Sequence, residues 1–376
     1  MNIYPHIKKP LFKYFLGYCI LMNCSCRLND KTTGSSDYFN IRCGINFSHW
    51  LSQNPYSGEE LLKMYSEQDF KMVASFGYDH IRLPFDEEHL WDINGNKKNE
   101  SFRLLHQAVQ WCIQYDLRII LDLHEVRSHS FNDTDNLLWK NIEAQEHFID
   151  MWLRLSGEFS KYPLSMVAYE LLNEAVADDP EDWNRLLKIT IDSLRKKEPY
   201  RKIIIGSNRW QSPDTFNGLT IPENDSNIIL SFHFYEPFIF THYRTHWTEV
   251  GKYSGTVKYP GKAIEPEYLD NYEDCLVENL QAYSKDYNKD TLLKSIQEPI
   301  RYANKYGLQL YCGEFGCTPA VHRSDRLQWY CDICEIFREN NMAFANWDYK
   351  GAFPVFLQSG MPDERLIDII TGISKE

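Results

Sequence analysis

Positive charge is what this chain lacks most. Its 40 Lys and Arg stand against 53 Asp and Glu, for a net charge of −13. A nucleic-acid partner needs clustered cations and is excluded on that ground. A strongly acidic glycan would be repelled, so a neutral partner fits better. A disulfide framework is missing too. Past the first 26 residues the cysteines are Cys43, Cys112, Cys275, Cys312, Cys317, Cys331 and Cys334, an odd and scattered set. The last four have zinc-like spacing. Cys312, however, falls in a strand pattern, and Cys331 and Cys334 fall in an amphipathic helix pattern, so buried free thiols are expected. No glycine-rich loop of the phosphate-cradling kind is present. Nor is there an internal repeat, a low-complexity tract or a linker to a second domain. No cofactor and no metal are expected.

What is present is a chain of 376 residues, 43% hydrophobic and 25% charged. That composition is globular, and the length suits one large barrel or two ordinary domains. Aromatics reach 15%, with 24 Tyr and 10 Trp; such rings serve sugar clefts and large cores alike. The N-terminus reads as an export signal. Lys8, Lys9 and Lys13 precede an apolar stretch from Tyr14 to Met22 that is too short to span a bilayer. Asn23-Cys24-Ser25-Cys26 resembles a bacterial lipoprotein cleavage site. The expected organisation is an export signal over 1–26, a tether over 27–37 and one catalytic domain over 38–376. The protein is expected to be exported, as a periplasmic, secreted or lipid-anchored cell-surface monomer.

From Arg42 onward strand-like and helix-like runs alternate. The strand-like runs are 43–47, 80–85, 118–124, 166–174, 202–207, 228–235, 308–314 and 344–349. Helical patterns cover 58–75, 102–115, 144–161, 182–197, 291–306, 325–340 and 364–373, with only a short helix or loop expected between the fifth and sixth strands. Eight strand–helix units predict a closed (β/α)₈ barrel, an α/β fold, rather than an open sheet. About 237–290 is too long for a plain loop. It reads as an insertion after the sixth strand, with a helix near 267–283, bordering the barrel mouth.

Two apolar runs end in glutamate: Tyr169-Glu170-Leu171-Leu172-Asn173-Glu174 and Leu308-Gln309-Leu310-Tyr311-Cys312-Gly313-Glu314. In α/β barrels the carboxyl ends of the strands are where chemistry is placed. Glu174 and Glu314 could face each other across the mouth, and glycosidic bond cleavage uses two facing carboxylates. Arg82, His124, His233, Tyr235 and Trp347 sit at other strand ends. One buried Arg or His is usually a satisfied structural group; a set at successive strand ends is less easily structural. His124-Glu125 with His129 approaches a zinc-protease motif, but the spacing is one residue too long and the segment reads as strand then loop.

These residues lie in motifs that carry a resemblance. Gly44-Ile45-Asn46, His80-Ile81-Arg82-Leu83-Pro84-Phe85, Leu172-Asn173-Glu174, Phe232-His233-Phe234-Tyr235, Thr256-Val257-Lys258-Tyr259-Pro260-Gly261 and Tyr311-Cys312-Gly313-Glu314-Phe315-Gly316 follow the order seen in glycoside hydrolase family 5. Residues 41 to 376 resemble that family, and most closely clostridial endoglucanases with an insertion after the sixth strand. The resemblance implies a retaining endoglucanase acting on a neutral β-1,4 or mixed-linkage polysaccharide or oligosaccharide. It implies Glu174 as acid/base and Glu314 as nucleophile, their carboxyl groups about 5–5.5 Å apart. Arg82 and Tyr235 would then align an ionised Glu314, Asn173 would bind the sugar 2-hydroxyl, His124 and His233 would complete the hydrogen bonds, and Trp347 would floor the cleaved sugar. Glu125 departs from the pattern, since close relatives often carry a second His there. A β-mannanase or exo-β-1,3-glucanase, or a non-catalytic glycan-binding protein, are the other readings. From the insertion, Phe238, His242 and Trp247 are expected near the site.

Overall fold

Short runs rich in Ile, Val, Leu and Phe, flanked by amphipathic segments, cannot bury both faces alone. In the computed structural model they close on themselves. The structure describes residues 38–373, apart from 134 and from 266–268, 270, 271, 273–276, 278 and 279. The strands are β1 (Cys43–Asn46), β2 (His80–Phe85), β3 (Arg118–Leu123), β4 (Val167–Glu170), β5 (Ile203–Gly206), β6 (Ile228–Phe234), β7 (Gln309–Phe315) and β8 (Ala343–Asn346). They pair in parallel in the order β1-β8-β7-β6-β5-β4-β3-β2, and β2 returns to β1. The expected (β/α)₈ barrel is therefore the fold. The sequence positions expected for an export signal and tether, Cys275 and most of the expected 267–283 helix lie outside the described residues.

Alternation along the strands sorts the side chains into two layers. Outward residues such as Ile81, Ile119, Leu121, Val167 and Ile203 join the large core beneath the helices. Inward residues Ile120, Ala168, Ile204, Ile229, Tyr311, Ala343 and Ala345 pack with Phe39 and Ile41 in a second cluster that fills the barrel. Two residues further along the same inward faces the chemistry changes. Asp122 follows Ile120, Glu170 follows Ala168, and Ser231 follows Ile229, all buried. Two further still come His124 and His233. The polar site thus sits on an apolar floor, at the carboxyl ends of the strands.

The helices differ from the sequence expectation in two informative places. The 58–75 pattern is two helices, Glu59–Met64 and Glu67–Phe76, because Ser66 and Asp69 form a capping box that starts a new helix. The 291–306 pattern is likewise Lys289–Ser295 and Gln297–Tyr306. Pro299 has no N–H to bond the carbonyl of residue 295, so it is accommodated in the first turn of a second helix.

After β6 the chain makes a short helix, Phe238–Thr241, a 3₁₀ turn, Glu249–Lys252, and a two-stranded antiparallel pair, Gly261–Lys262 with Asp286–Tyr287. Buried Tyr253, Tyr259 and Ile264 continue the outer core into this segment. Tyr259 donates its hydroxyl to Asp332 at 2.7 Å, which ties it to helix Arg323–Glu339.

Candidate active site

Arg82 is the centre of the site. It enters from β2 and is fully buried. Its Nε donates to Glu170 Oε2 at 2.7 Å, and Nη1 donates to Glu314 Oε1 at 2.7 Å and to Asn46 Oδ1 at 3.1 Å. Nη2 donates to Asn173 Oδ1 at 2.9 Å and lies 3.1 Å from Asp122 Oδ2. One cation therefore organises three carboxylates and two amides. Burial works against its charge, but Asp122, Glu170 and Glu314 together outweigh that and raise its pKa.

Glu174 arrives differently. The chain leaves the sheet after Glu170, and Glu174 takes a left-handed backbone, φ 46°. Such a conformation needs outside support in a non-glycine residue. The support is a ring of hydrogen bonds. Trp152 Nε1 donates to Leu171 O at 2.9 Å, and Trp139 Nε1 donates to Val176 O at 2.5 Å. The Glu174 N–H donates to Gln211 Oε1 at 2.9 Å, and the Val176 N–H donates to His129 Nε2 at 3.0 Å. His129, the second His of the near-zinc motif, is thus a loop fastener.

The two glutamates meet at His233. Its Nδ1 is hydrogen-bonded to Glu174 Oε1 at 2.8 Å and lies 3.7 Å from Glu314 Oε2. One oxygen of each glutamate and a His233 ring nitrogen all fall within 4.8 Å of one another. Tyr235 donates its hydroxyl to Glu314 Oε2 at 2.9 Å. Both Glu314 oxygens are thereby engaged, one by the Arg82 cation. That disfavours a metal ion at this triad, although the donor types would suit one.

Electrostatics separates the pair. Burial and then the Glu314 charge push Glu174 well above the ordinary carboxylate range. Burial also raises Glu314, but the Arg82 cation opposes it most strongly, and the Tyr235 hydroxyl adds to that opposition. Burial lowers His124 to about 4 and His233 well below its usual value, so both are neutral near pH 7. Burial raises Asp122 to about 7, opposed by Arg82.

These groups open into a cleft of about 1410 Å³ lined by His124, Asn173, Glu174, His233, Tyr235, Glu314 and Trp347. All the residues singled out from sequence are therefore brought together, with Arg82 buried beneath. Asn173 Nδ2 and His233 Nε2 are buried and have no hydrogen-bond partner among the described residues. The Trp347 ring stacks on His124 at 5.8 Å with a 9° interplanar angle. Phe238, His242 and Trp247 of the insertion also line the cleft. Sequence reasoning passed over Asp122, Glu170, Asn46, Gln211 and Trp210. The available signal for the first two was an acidic residue inside a run that must be buried, which is rare unless paired. Trp210 lines the cleft from the turn after β5, where Arg209, Trp210 and Gln211 are all left-handed, φ 57°, 61° and 52°. Of the four cysteines with zinc-like spacing, Cys312, Cys317 and Cys334 are buried, Cys331 is partly buried, and all are free.

A parallel barrel that presents two carboxylates across its mouth, unequally biased by a buried arginine and set among indole rings, has the build of a glycoside hydrolase. The family model for Cellulase (glycosyl hydrolase family 5) matches residues 44–353, and the chain belongs to that family. Among curated proteins, it is 32% identical over 339 residues to Endoglucanase C of Acetivibrio thermocellus, covering 88% of this chain and 98% of the relative. It is 31% identical over 304 residues to Cellodextrinase A of Ruminococcus flavefaciens, covering 80% of this chain and 83% of the relative. Among solved structures, Thermotoga maritima Cel5A in complex with mannotriose superposes with a TM-score of 0.70 at 19% identity, over 88% of this chain and 97% of that one. At that identity the likeness is one of fold.

Proposed function

We propose that this enzyme is a retaining endo-β-glucanase that cleaves neutral β-1,4 or mixed-linkage β-1,3-1,4 glucan by double displacement. The observation that carries the reading is the Glu174–Glu314 pair, with one oxygen of each within 4.8 Å. Retaining enzymes hold their carboxyl groups close, about 5–5.5 Å apart, against about 6.5–9.5 Å in inverting enzymes, and so near an approach of the two closest oxygens supports the retaining class.

In the first step the Glu314 carboxylate attacks the anomeric carbon while Glu174 protonates the departing glycosidic oxygen. In the second, Glu174 takes a proton from water, and the hydroxide attacks the glycosyl-enzyme ester and releases Glu314. A raised Glu174 suits the acid role. Arg82 and Tyr235, one on each oxygen of Glu314, fix the nucleophile for in-line attack. Asn173 has its Oδ1 held by Arg82, which leaves the unpartnered Nδ2 to meet the sugar 2-hydroxyl. Contacts there that strengthen toward the transition state contribute to rate. Neutral His124 supports the Trp347 platform, and neutral His233 steadies Glu174.

The cleft supports internal attack. Its volume of about 1410 Å³ exceeds an ordinary small-molecule pocket. Half-exposed Trp210 (47%) and Trp247 (52%) give it rings beyond Trp347. Replacing either with Ala should raise KM about fivefold, the effect of one stacking contact of about 1 kcal/mol. The melting temperature should change little, because half of each side chain already faces solvent. A large loss of stability with unchanged KM would instead make these rings struts of the insertion.

The net charge of −13 supports a neutral polymer. The basic and apolar N-terminal pattern supports export to where such a polymer is found. The cellodextrinase relative favours a second reading, in which short cello-oligosaccharides are the better substrates. A panel of barley β-glucan, carboxymethyl-cellulose, xyloglucan, galactomannan and cellopentaose separates these readings when product sizes are followed over time. Barley glucan should lose viscosity before much reducing sugar appears. Fastest turnover on galactomannan would overturn the glucan assignment. Release of single glucose units from chain ends would overturn the endo assignment, and a strong preference for cellopentaose over every polymer would favour the second reading.

A further inference from the structure

A second group of ionisable side chains lies just beyond the end of β2. Asp86 follows Phe85 and precedes the single turn Glu87–Leu90. Asp86, Glu88 and His89 bring two carboxylate oxygens and an imidazole nitrogen within 4.8 Å of one another.

Two further observations separate this from an ordinary acidic turn. First, Asp86 is only 4% exposed, and only half of its carboxylate is satisfied. Oδ2 accepts the Gln53 N–H at 2.6 Å, whereas Oδ1 is buried with no hydrogen-bond partner among the described residues. Leaving a buried acceptor unpaired is costly. Second, one nitrogen of the His89 ring is already fixed. Its Nε2 lies 3.0 Å from the Asn54 carbonyl, which can only accept, so Nε2 carries the proton and Nδ1 keeps its lone pair. Metal-bound histidines are ordinarily fixed in this way, with the other ring N–H on a carbonyl or carboxylate. Glu88 is exposed and free to swing in, and Lys98 bonds its main-chain oxygen at 2.7 Å.

The geometry points to a divalent-cation site formed by Asp86, Glu88 and His89. One neutral imidazole and two carboxylates suit Zn²⁺ or Mn²⁺ better than Ca²⁺, which prefers six or more oxygen donors. Three side chains leave a position for water. The role is mechanical. Asp86 and His89 hold the Gln53 N–H and the Asn54 carbonyl, and the same loop carries His49 and Gln53 into the cleft wall. His49 and Gln53 both have left-handed backbones, φ 55° and 51°, so this loop depends on outside fastening. An ion at the cluster would clamp one wall of the cleft without touching Glu174 or Glu314.

The test uses the full chain, freed of any affinity tag and treated with chelator. ZnCl₂, MnCl₂ and CaCl₂ are titrated separately by calorimetry, with thermal melts in parallel. One equivalent of Zn²⁺ or Mn²⁺ should bind and raise the melting temperature. Glu88→Gln and His89→Gln should each weaken that binding at least tenfold. Glu88→Gln changes an exposed side chain, so its metal-free melting temperature should match the parent, and lost binding there cannot be misfolding. Absence of binding by both Zn²⁺ and Mn²⁺, or binding as tight in Glu88→Gln as in the parent, overturns the site. Binding of Ca²⁺ alone overturns the donor argument on which it rests.

Discussion

Glu314→Ala should lower kcat by about 10⁴-fold or more, the scale seen when a reacting side chain is removed. Sodium azide should restore part of the lost turnover by entering the space of the missing carboxylate. The product should be a glycosyl azide of inverted configuration, because azide then attacks the anomeric carbon directly from the face Glu314 occupied. Glu174→Ala should behave otherwise. Substrates with good leaving groups should still form the glycosyl-enzyme, and azide should intercept it to give a product of retained configuration. Proton NMR of the two products decides the matter. Inverted azide from Glu174→Ala would exchange the two roles. The expectation rests on the asymmetry around the pair: Arg82 and Tyr235 engage Glu314, whereas Glu174 faces neutral His233.

Arg82→Met should abolish activity and also cost about 3–5 kcal/mol of stability at pH 8, the penalty for stranding buried charge. In the native protein burial already raises Asp122, Glu170 and Glu314, and Arg82 opposes each shift. Without the guanidinium these pKa values rise further. A carboxyl whose folded pKa lies above its unfolded value binds protons more tightly when folded. Its contribution is fully present below the unfolded pKa, about 4, and is lost as pH climbs through the folded value. The variant's deficit should therefore be larger at pH 8 than at pH 5. Urea unfolding at both pH values measures it. An equal deficit at the two would mean that lost packing, and not stranded charge, is responsible.

How much could be read in advance follows from where each signal resides. The strands were legible because they are buried on both faces and largely apolar, as in β5 and the first half of β6. Residues such as Glu174 and Glu314 were legible because they interrupt those runs at the carboxyl end. Asp122 and Glu170 were not, although they touch the same arginine, because they stand one inward step earlier, where the reading assumed an apolar interior. Their partner lies in another strand, β2, and no local pattern announces it. Trp210 was hidden for a different reason. Left-handed turns are usually signalled by Gly or Asn, yet Arg209-Trp210-Gln211 adopts one while Gln211 is held by hydrogen bonds to Glu170 and Ser231. The split helices were missed because apolar periodicity runs through Ser66 and Ile296, while capping chemistry and Pro299 decide the ends.

The ring of strands also says when in its life the molecule can act. Its seam joins β1 to β8, with Cys43 beside Phe344, so the first and last strands of the barrel must find each other before the sheet has no free edge. Pairings between parts of the chain so far apart form slowly. Arg82 comes from β2, Glu174 from beyond β4, Tyr235 from just beyond β6 and Glu314 from β7, so the two carboxylates and the groups that engage Glu314 come together only once the chain has run from β2 through β7. A half-made chain leaving the ribosome would hold Arg82 and Glu174 without Glu314. Hydrolytic power thus arrives late in synthesis, and a chain that stops short of β7 is a harmless one.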